Sequence, residues 1–157
     1  MSQLTKLEFN ALDISGENYL SWILDAKIHL DAMSFSNTIK NNNDSSTQDR
    51  AKAMIFLRHH LHQALKMEYL TIKDPYVLWS SLYERYGHLR SVILPNARSK
   101  WNTLRLQDFK SVHEYNSALY RITSQLKLCR ENITDEDMLE KNIYNISCFQ
   151  HGFTTTI

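Results

Sequence analysis

Glycine, proline and cysteine are scarce in this 157-residue sequence, which contains three, two and two of them. Glycine and proline supply most of the turns in β-sandwiches and in α/β sheets, so their scarcity disfavours both architectures. Cys129 and Cys148 form no C-x-x-C pair, so neither a disulfide framework nor a zinc site is predicted. Unpaired cysteines are typical of reducing compartments, and we therefore expect a cytoplasmic protein.

Long apolar runs and a secretory signal are also missing. No stretch approaches the roughly 18 apolar residues of a membrane span. Met1 to Phe9 lacks the charged-then-apolar order of a signal peptide. The net charge of +1 is too small to attract nucleic acid as a bulk property. We therefore expect no membrane partner, and any contact with nucleic acid must come from a local patch.

Apolar residues recur at steps of three and four along most of the chain, which is the spacing of one helix face. The clearest row runs from Val112 to Cys129, and the second helix should carry its row from Ala51 to Leu65. No segment alternates with period two, so the sequence predicts an all-α fold, a bundle of five or six helices. The row from Val112 to Cys129 suits either packing within the chain or contact between subunits. The residues that we expect in the core are Trp22, Leu61, Trp79, Leu82, Trp101, Tyr115, Leu119, Ile122 and Leu126.

Short polar motifs predict four of the helix starts, because their side chains can accept hydrogen bonds from free N–H groups of a first turn. The motifs are Ser46 with Asp49, Asp74 with Pro75, Ser111 with Glu114, and Thr134 with Asp137. Gly87 follows the third predicted helix, where a left-handed residue is expected.

These elements divide the chain into three segments. Residues 1–18 are a lead-in in which Leu12 and Ile14 could dock on the core. Residues 19–141 form the helical domain, and residues 66–74 are a candidate boundary between two small lobes. Residues 142–157 are a tail without a helical row of apolar residues.

No constellation of catalytic or metal-binding residues is predicted. His59 and His62 share a helix face beside His60, but no cysteine or carboxylate at ligand spacing completes a metal set. Asp25 and His29 have i,i+4 spacing without a nucleophile motif, so a surface pair is the simpler interpretation. We expect no enzyme, no cofactor and no small-molecule substrate.

The charge distribution is uneven between Arg85 and Gln107, where no Asp or Glu occurs. Aromatic residues are interleaved with the cations, an arrangement that can bind phosphates and stack bases. The default alternative is a solvated face that pairs with the acidic residues between Glu131 and Glu140. The candidate RNA contacts are Arg85, Arg90, Arg98, Lys100 and Arg105.

The block from Asp74 through Trp79, Leu82 and Tyr86 to Gly87 resembles the D-P-x-x-x-W-x-x-L-x-x-x-Y/F-G block of copia-type retrotransposon Gag proteins. Further segments are similar to plant members of this family, and they occur in the same order along the chain. The similar pieces are Ile93 to Pro95, Trp101, Leu104 to Val112, Glu114 to Leu119, Gln125 to Cys129 and Ile133 to Lys141, with Asn18-Tyr19 and Trp22 upstream. The resemblance covers about residues 7–141. It implies a capsid-like helical fold, self-association into virus-like particles and packaging of element RNA.

The chain departs from the family pattern in two ways. The zinc knuckle that usually follows this region is absent, and residues 142–157 do not resemble the family continuation. Back-translation of the tail with one base skipped gives TFTTFHASN, which is similar to that continuation. An extra base near the Lys141 codon would explain the tail, and we therefore predict that the tail is a frameshift product. We expect an impaired assembler with apolar faces exposed around Leu126, Met138 and Leu139.

Two alternatives to an assembly protein stay open. One is an RNA-binding module that uses the basic strip of residues 85–105. The other is a host-adopted helical interaction domain, which would need intact helices and a native end.

Overall fold

The computed structural model describes residues 6–152, and their side chains up to residue 147. All regular secondary structure in this part of the chain is helical, which confirms the all-α prediction. Two short 3₁₀ turns, Ser36–Ile39 and Leu106–Asp108, connect longer helices. The α-helices are Tyr19–Ala32 (α1), Thr47–His59 (α2), Gln63–Glu68 (α3), Pro75–Tyr86 (α4), Leu89–Thr103 (α5), Val112–Leu128 (α6) and Asp135–Gly152 (α7).

The polar motifs begin the helices as the sequence predicts. Ser46 Oγ accepts from the Asp49 N–H at 3.1 Å, and Ser111 Oγ accepts from the Glu114 N–H at 3.1 Å. Asp74 Oδ1 accepts from the Tyr76 N–H at 2.9 Å, next to the proline that begins α4. Each bond satisfies an N–H that the helix itself leaves free, and each cap is worth about 1 kcal/mol.

Gly87 does not adopt the left-handed conformation that the sequence predicted. Its φ is −61° and its ψ is −28°, both right-handed helical values. The prediction was wrong because α5 begins at Leu89, only two residues later, so the chain keeps helical geometry through the junction.

The chain divides into two compact units, Met1–Leu89 and Arg90–Ile157. The division lies further along the chain than the 66–74 segment. That segment is part of the first unit: α3 covers its start, and α4, which follows it, packs against α2 and the 3₁₀ turn Ser36–Ile39.

The core of the first unit contains three of the residues expected there, because Trp22, Leu61 and Leu82 are at most 2% exposed. The Trp22 indole N–H donates to the His60 carbonyl at 2.8 Å, which satisfies the polar atom of this buried ring. Trp79 is only half-buried. Its ring centroid lies 5.8 Å from that of Trp22, and its outer face lines a groove beside Ile39.

The helix expected to run from Ala51 to Leu65 is interrupted. It ends at His59, and α3 begins at Gln63. Between them Leu61 pairs in parallel with Leu12 of the lead-in, through Leu12 N–H to His60 O at 2.8 Å and His62 N–H to Leu12 O at 3.0 Å. The His60 carbonyl and the His62 N–H thus bond outward to the lead-in, while the N–H groups of His60 and Leu61 still bond to carbonyls of α2. Leu12 docks with no exposed surface, whereas Ile14 stays 41% exposed.

The core of the second unit is built on the inward face of α6. Tyr115, Leu119, Ile122 and Leu126 are buried there together with Ala97 and Leu104, and Trp101 packs on the cluster half-buried. Full burial of an aliphatic side chain of this size is worth about 1.5–3 kcal/mol. Apart from Val112, which is exposed, the row of apolar residues along α6 therefore packs within the chain.

The tail is helical as far as Gly152, contrary to the sequence interpretation. Helix α7 continues without a break past Lys141 to Gly152. It carries Asn145 into the core, where this residue is 5% exposed. The prediction failed for two reasons. The inward position of the tail is held by a polar residue, and Ile143 and Ile146, which continue the helical spacing from Leu139, lie outside the core.

Candidate functional site

Helix α7 is fixed at its start by a reciprocal pair of side chains. Thr134 Oγ1 accepts from the Asp137 N–H at 3.1 Å, and Asp137 Oδ2 accepts from the Thr134 N–H and hydroxyl, both at 2.7 Å. These bonds favour the ionised carboxyl and lower the pKa of Asp137. The first turn also carries Asp135 and Glu136, whose charges suit the positive end of the helix dipole.

A polar cluster holds the middle of α7 against its unit. Asn145 Nδ2 donates to the Tyr115 hydroxyl at 2.9 Å and to the Lys141 carbonyl at 2.8 Å, while its Oδ1 accepts from the Leu106 N–H at 3.3 Å. The Tyr115 hydroxyl in turn donates to Asn142 Oδ1 at 3.2 Å. Burial raises the pKa of Tyr115, which therefore stays a neutral hydroxyl that both donates and accepts.

Another face of α7 is apolar and exposed. Leu139, Ile143 and Ile146 are spaced by four and three residues, so they form one stripe along the helix. Their exposed fractions are 60%, 63% and 52%. We call these three residues the α7 stripe. Single exposed apolar side chains are common, but a contiguous row is typical of an interaction surface.

The sequence predicted exposed apolar faces around three residues, and the structure gives these residues different degrees of exposure. Leu126 is 1% exposed and belongs to the core, and Met138 is half-buried against it. Only Leu139 is exposed. The expectation for Leu126 was wrong because Leu126 belongs to a core cluster against which Ile133 and Met138 pack, and both of these residues come before the tail.

The basic strip of residues 85–105 is divided between the two units. Arg85 belongs to the first, where its guanidinium pairs with Glu68 and also approaches the Tyr69 hydroxyl. The Glu68 carboxylate raises the pKa of Arg85. In the second unit Arg98 pairs with Glu131 at 2.5 Å, which is the pairing with the acidic residues that the alternative interpretation predicted.

Two of the candidate RNA contacts line a groove of about 360 Å³ in the second unit. Lys100 and Arg105 stand at this groove with Arg121 of α6, and Leu104 and Ile122 form part of its apolar lining. All three cations are exposed, and no carboxylate of the described residues forms an ion pair with them. We call this feature the cationic groove.

The cationic groove also contains an aromatic ring and one acid. Phe109 is half-buried, with its ring edge-on to Tyr115 at a centroid distance of 5.8 Å. Asp108 is the one carboxylate among the lining residues, against three cations. Such a groove can hold a phosphate beside a flat aromatic group.

Arg121 was not a candidate from the sequence. It lies outside the basic strip and meets Lys100 and Arg105 only because α6 folds beside the residues that end α5. Arg90 is half-buried with its Nε unpartnered among the described residues, and it does not line the groove.

The indole ring of Trp101 is covered by a cation. Lys141 Nζ lies 5.6 Å from the centroid of the indole and donates to the Asn102 carbonyl at 3.4 Å. Burial, and then the charge of Arg105, lower the pKa of Lys141. This cation–π contact closes the outer face of Trp101.

The histidines of the first unit do not converge on a common point. His62 Nδ1 accepts from the Ala64 N–H at 3.1 Å and begins α3, while His60 is fully buried. His29 faces Phe9 and Phe56, at centroid distances of 5.1 Å and 5.9 Å. Among residues 6–147, whose side chains the structure describes, no group of three or more potential metal ligands comes together.

Comparison with known proteins finds no matching family model, no similar characterised protein and no similar solved structure. Among the helices that the structure describes, none combines the length and the apolar character needed to cross a bilayer. Two surfaces are therefore the candidates for a functional site, the α7 stripe and the cationic groove.

Proposed function

We propose that this chain is a non-enzymatic assembly module, similar to the capsid-like region of Gag, and that copies associate through the α7 stripe. The observation that carries the proposal is the exposure of Leu139, Ile143 and Ile146 in one row on a helix that is otherwise fixed to its unit. Each of these side chains would gain about 1.5–3 kcal/mol if it were fully buried.

A second copy is the partner that we infer, because every copy presents the same stripe and can pair with it about a two-fold axis. The acidic first turn of α7 favours an antiparallel pair. In that arrangement the acidic turns of two helices of 18 residues lie at opposite ends, about 27 Å apart. A parallel pair would bring Asp135 and Glu136 of both copies together, at an electrostatic cost.

Sedimentation or light scattering over a concentration series tests this proposal. We expect the unmodified chain to associate, and L139S/I143S to weaken the association constant about tenfold or more. A matched control is V112S/Y120S, which removes two side chains of the second unit with exposed fractions of 61% and 64%. This control should associate like the unmodified chain. A chain that stays monomeric at every concentration would contradict self-association and leave the stripe to a different protein, as in a host-adopted interaction domain.

Closed particles are the further step that the resemblance to Gag predicts. Electron microscopy of the associated protein would show whether the pairs extend into shells or stop at small oligomers. Small oligomers alone would support association and contradict assembly into virus-like particles.

We propose RNA binding at the cationic groove as a second candidate function, which accords with packaging of element RNA. It is favoured by the three exposed cations without ion pairs and by the ring of Phe109 beside them. This site replaces the continuous strip of residues 85–105, because Arg85 and Arg98 are already paired with Glu68 and Glu131.

Binding of a labelled single-stranded oligonucleotide, measured against salt, tests this second candidate. We expect R105E/R121E to weaken binding and to reduce the magnitude of the salt slope by about 0.7 for each phosphate that the variant no longer neutralises. The matched control is K110E/K127E, which makes the same change in net charge at exposed lysines outside the groove. Equal losses of affinity in both variants would show that binding follows net charge and not this groove.

A further inference from the structure

The lead-in is attached to the first unit by a small set of hydrogen bonds around His60. The parallel pair of Leu12 and Leu61 forms one part of this attachment. The other part involves side chains of two adjacent histidines. His60 Nε2 lies 3.3 Å from the Glu8 N–H, and His59 Nε2 lies 3.2 Å from the Lys6 carbonyl.

The hydrogen bonds of His60 fix its protonation state. Its Nδ1 lies 2.9 Å from the Phe56 carbonyl, which can only accept, so Nδ1 carries the proton. Its Nε2 faces the Glu8 N–H, which can only donate, so Nε2 must present its lone pair. The attached lead-in therefore requires a neutral imidazole at His60, with the proton on Nδ1.

The surroundings of His60 give an imidazolium little support. The residue is fully buried, and Phe9 stacks on its ring at a centroid distance of 4.2 Å and an angle of 13°. The Phe56 ring lies 4.5 Å away. The titratable groups nearest to it are His59, at 5.2 Å between ring centroids, His29 of α1, whose ring contacts Phe9 and Phe56, and Glu8 of the lead-in.

The two adjacent histidines respond differently to a proton. His59 donates from Nε2 to a carbonyl, so its protonated form keeps this bond. A proton on Nε2 of His60 would instead point at the N–H of Glu8, placing two donors against each other. Of these two histidines, only His60 therefore couples protonation to the position of the lead-in.

We propose that protonation of His60 detaches residues 6–12 from the first unit, so that the lead-in is a latch that opens in mild acid. Detachment frees Nε2 to bond water and removes Phe9 from the ring. It also uncovers the apolar face where Leu12 is seated, at full burial, beside Leu61.

The pH range follows from the direction in which the pKa of His60 is shifted. Burial lowers it below the ordinary value of about 6.5, and the bond to Phe56 only partly opposes this. Above about pH 6.5 the ring is neutral in both the attached and the detached state, and the latch has its full stability. As the pH falls below that value the detached state binds a proton first, so attachment weakens until the pH reaches the lowered pKa.

Hydrogen exchange of the Glu8 and Leu12 amides between about pH 8 and pH 5 tests the latch, since histidine titrates in this interval. With intrinsic exchange rates divided out, we expect protection of both amides to fall about tenfold for each pH unit of the linked range. Amides of α4 should keep their protection. Protection that does not change with pH in the unmodified chain would overturn the proposal.

Two variants separate His60 from its neighbour. H60Q keeps an acceptor near the Glu8 N–H and does not titrate, so the fall in protection should disappear. H59Q is the matched control, and the fall should persist because His59 plays no part in the switch. The same fall in H60Q would overturn the proposal. If H60Q does not fold, NMR of the His60 imidazole in the unmodified chain provides the test. Its resonances should titrate below about pH 6.5, with the same midpoint as the loss of protection at the Glu8 amide. Different midpoints would contradict the latch.

Discussion

Gly16 is a single residue on which the first unit depends. Its φ of +76° is a left-handed value, and a Cβ placed there would collide with the Tyr86 ring. Tyr86 cannot simply move away, since it is 4% exposed and its hydroxyl donates to the Ile14 carbonyl at 2.7 Å. The sequence alone does not predict this role, because nothing local shows that an aromatic ring will approach Gly16.

We predict that G16A destabilises the first unit by about 2–4 kcal/mol, from backbone strain and the collision with Tyr86 together. Urea unfolding followed by tryptophan fluorescence measures the change. E17A, at an exposed neighbouring position, should leave the midpoint nearly unchanged. Equal stability of G16A and the unmodified chain would mean that Tyr86 can leave its position at little cost.

Burial of single residues was predictable where several helical steps agree. Leu119, Ile122 and Leu126 occupy successive steps on α6, and all three are buried. Trp79 and Trp101 were also placed on inward rows, yet each is half-buried. Spacing identifies the face of a helix on which a residue lies. It does not show whether neighbouring elements extend far enough to cover a large ring.

At the scale of elements, helix starts were the most predictable feature. The capping bond at Ser46 or Ser111 forms within one turn, so a few adjacent residues contain all the information. The break between α2 and α3 could not be predicted in this way. It depends on pairing of Leu61 with Leu12, which is distant in the chain, and the local apolar row continues through the break.

Helix α7 illustrates a second reason for failure. Its attachment depends on a buried amide, and polar residues are mostly exposed in proteins. Asn145 makes three hydrogen bonds there, so burial leaves its amide satisfied. The cationic groove was half-predicted for a related reason: Lys100 and Arg105 were candidates, but Arg121 joins them only through packing.

We predict that N145A destabilises the second unit by about 1–3 kcal/mol, because it leaves the Tyr115 hydroxyl and the Leu106 N–H short of a partner. Thermal unfolding followed by circular dichroism measures the loss. N132A, at an exposed position just before α7, should change the midpoint little. If both variants unfold alike, the hydrogen bonds of Asn145 add nothing to stability.

At the scale of the whole molecule, the division at Leu89 and Arg90 has a direct experimental consequence. Trp22 and Trp79 lie in the first unit, and Trp101 lies in the second. We predict that G16A lowers the urea midpoint reported by Trp22 and Trp79 and leaves the midpoint reported by Trp101 unchanged. N145A should lower the midpoint reported by Trp101 and leave the other two unchanged.

Single-tryptophan variants, with the other indoles replaced by phenylalanine, would resolve the two transitions in urea. Coincident shifts for all three reporters would show that the units unfold as one cooperative body. Separate shifts would show that each unit holds its own stability, as expected when each has its own core.

The parallel pairing of Leu12 and Leu61 has a mechanical consequence. Its two hydrogen bonds, from Leu12 N–H to His60 O and from His62 N–H to Leu12 O, lie on opposite sides of a single residue. A pull parallel to the lead-in would strain both hydrogen bonds at once, in shear. A pull at right angles would peel them apart one after the other, at lower force. Resistance of this segment to tension should therefore depend on the direction of the load.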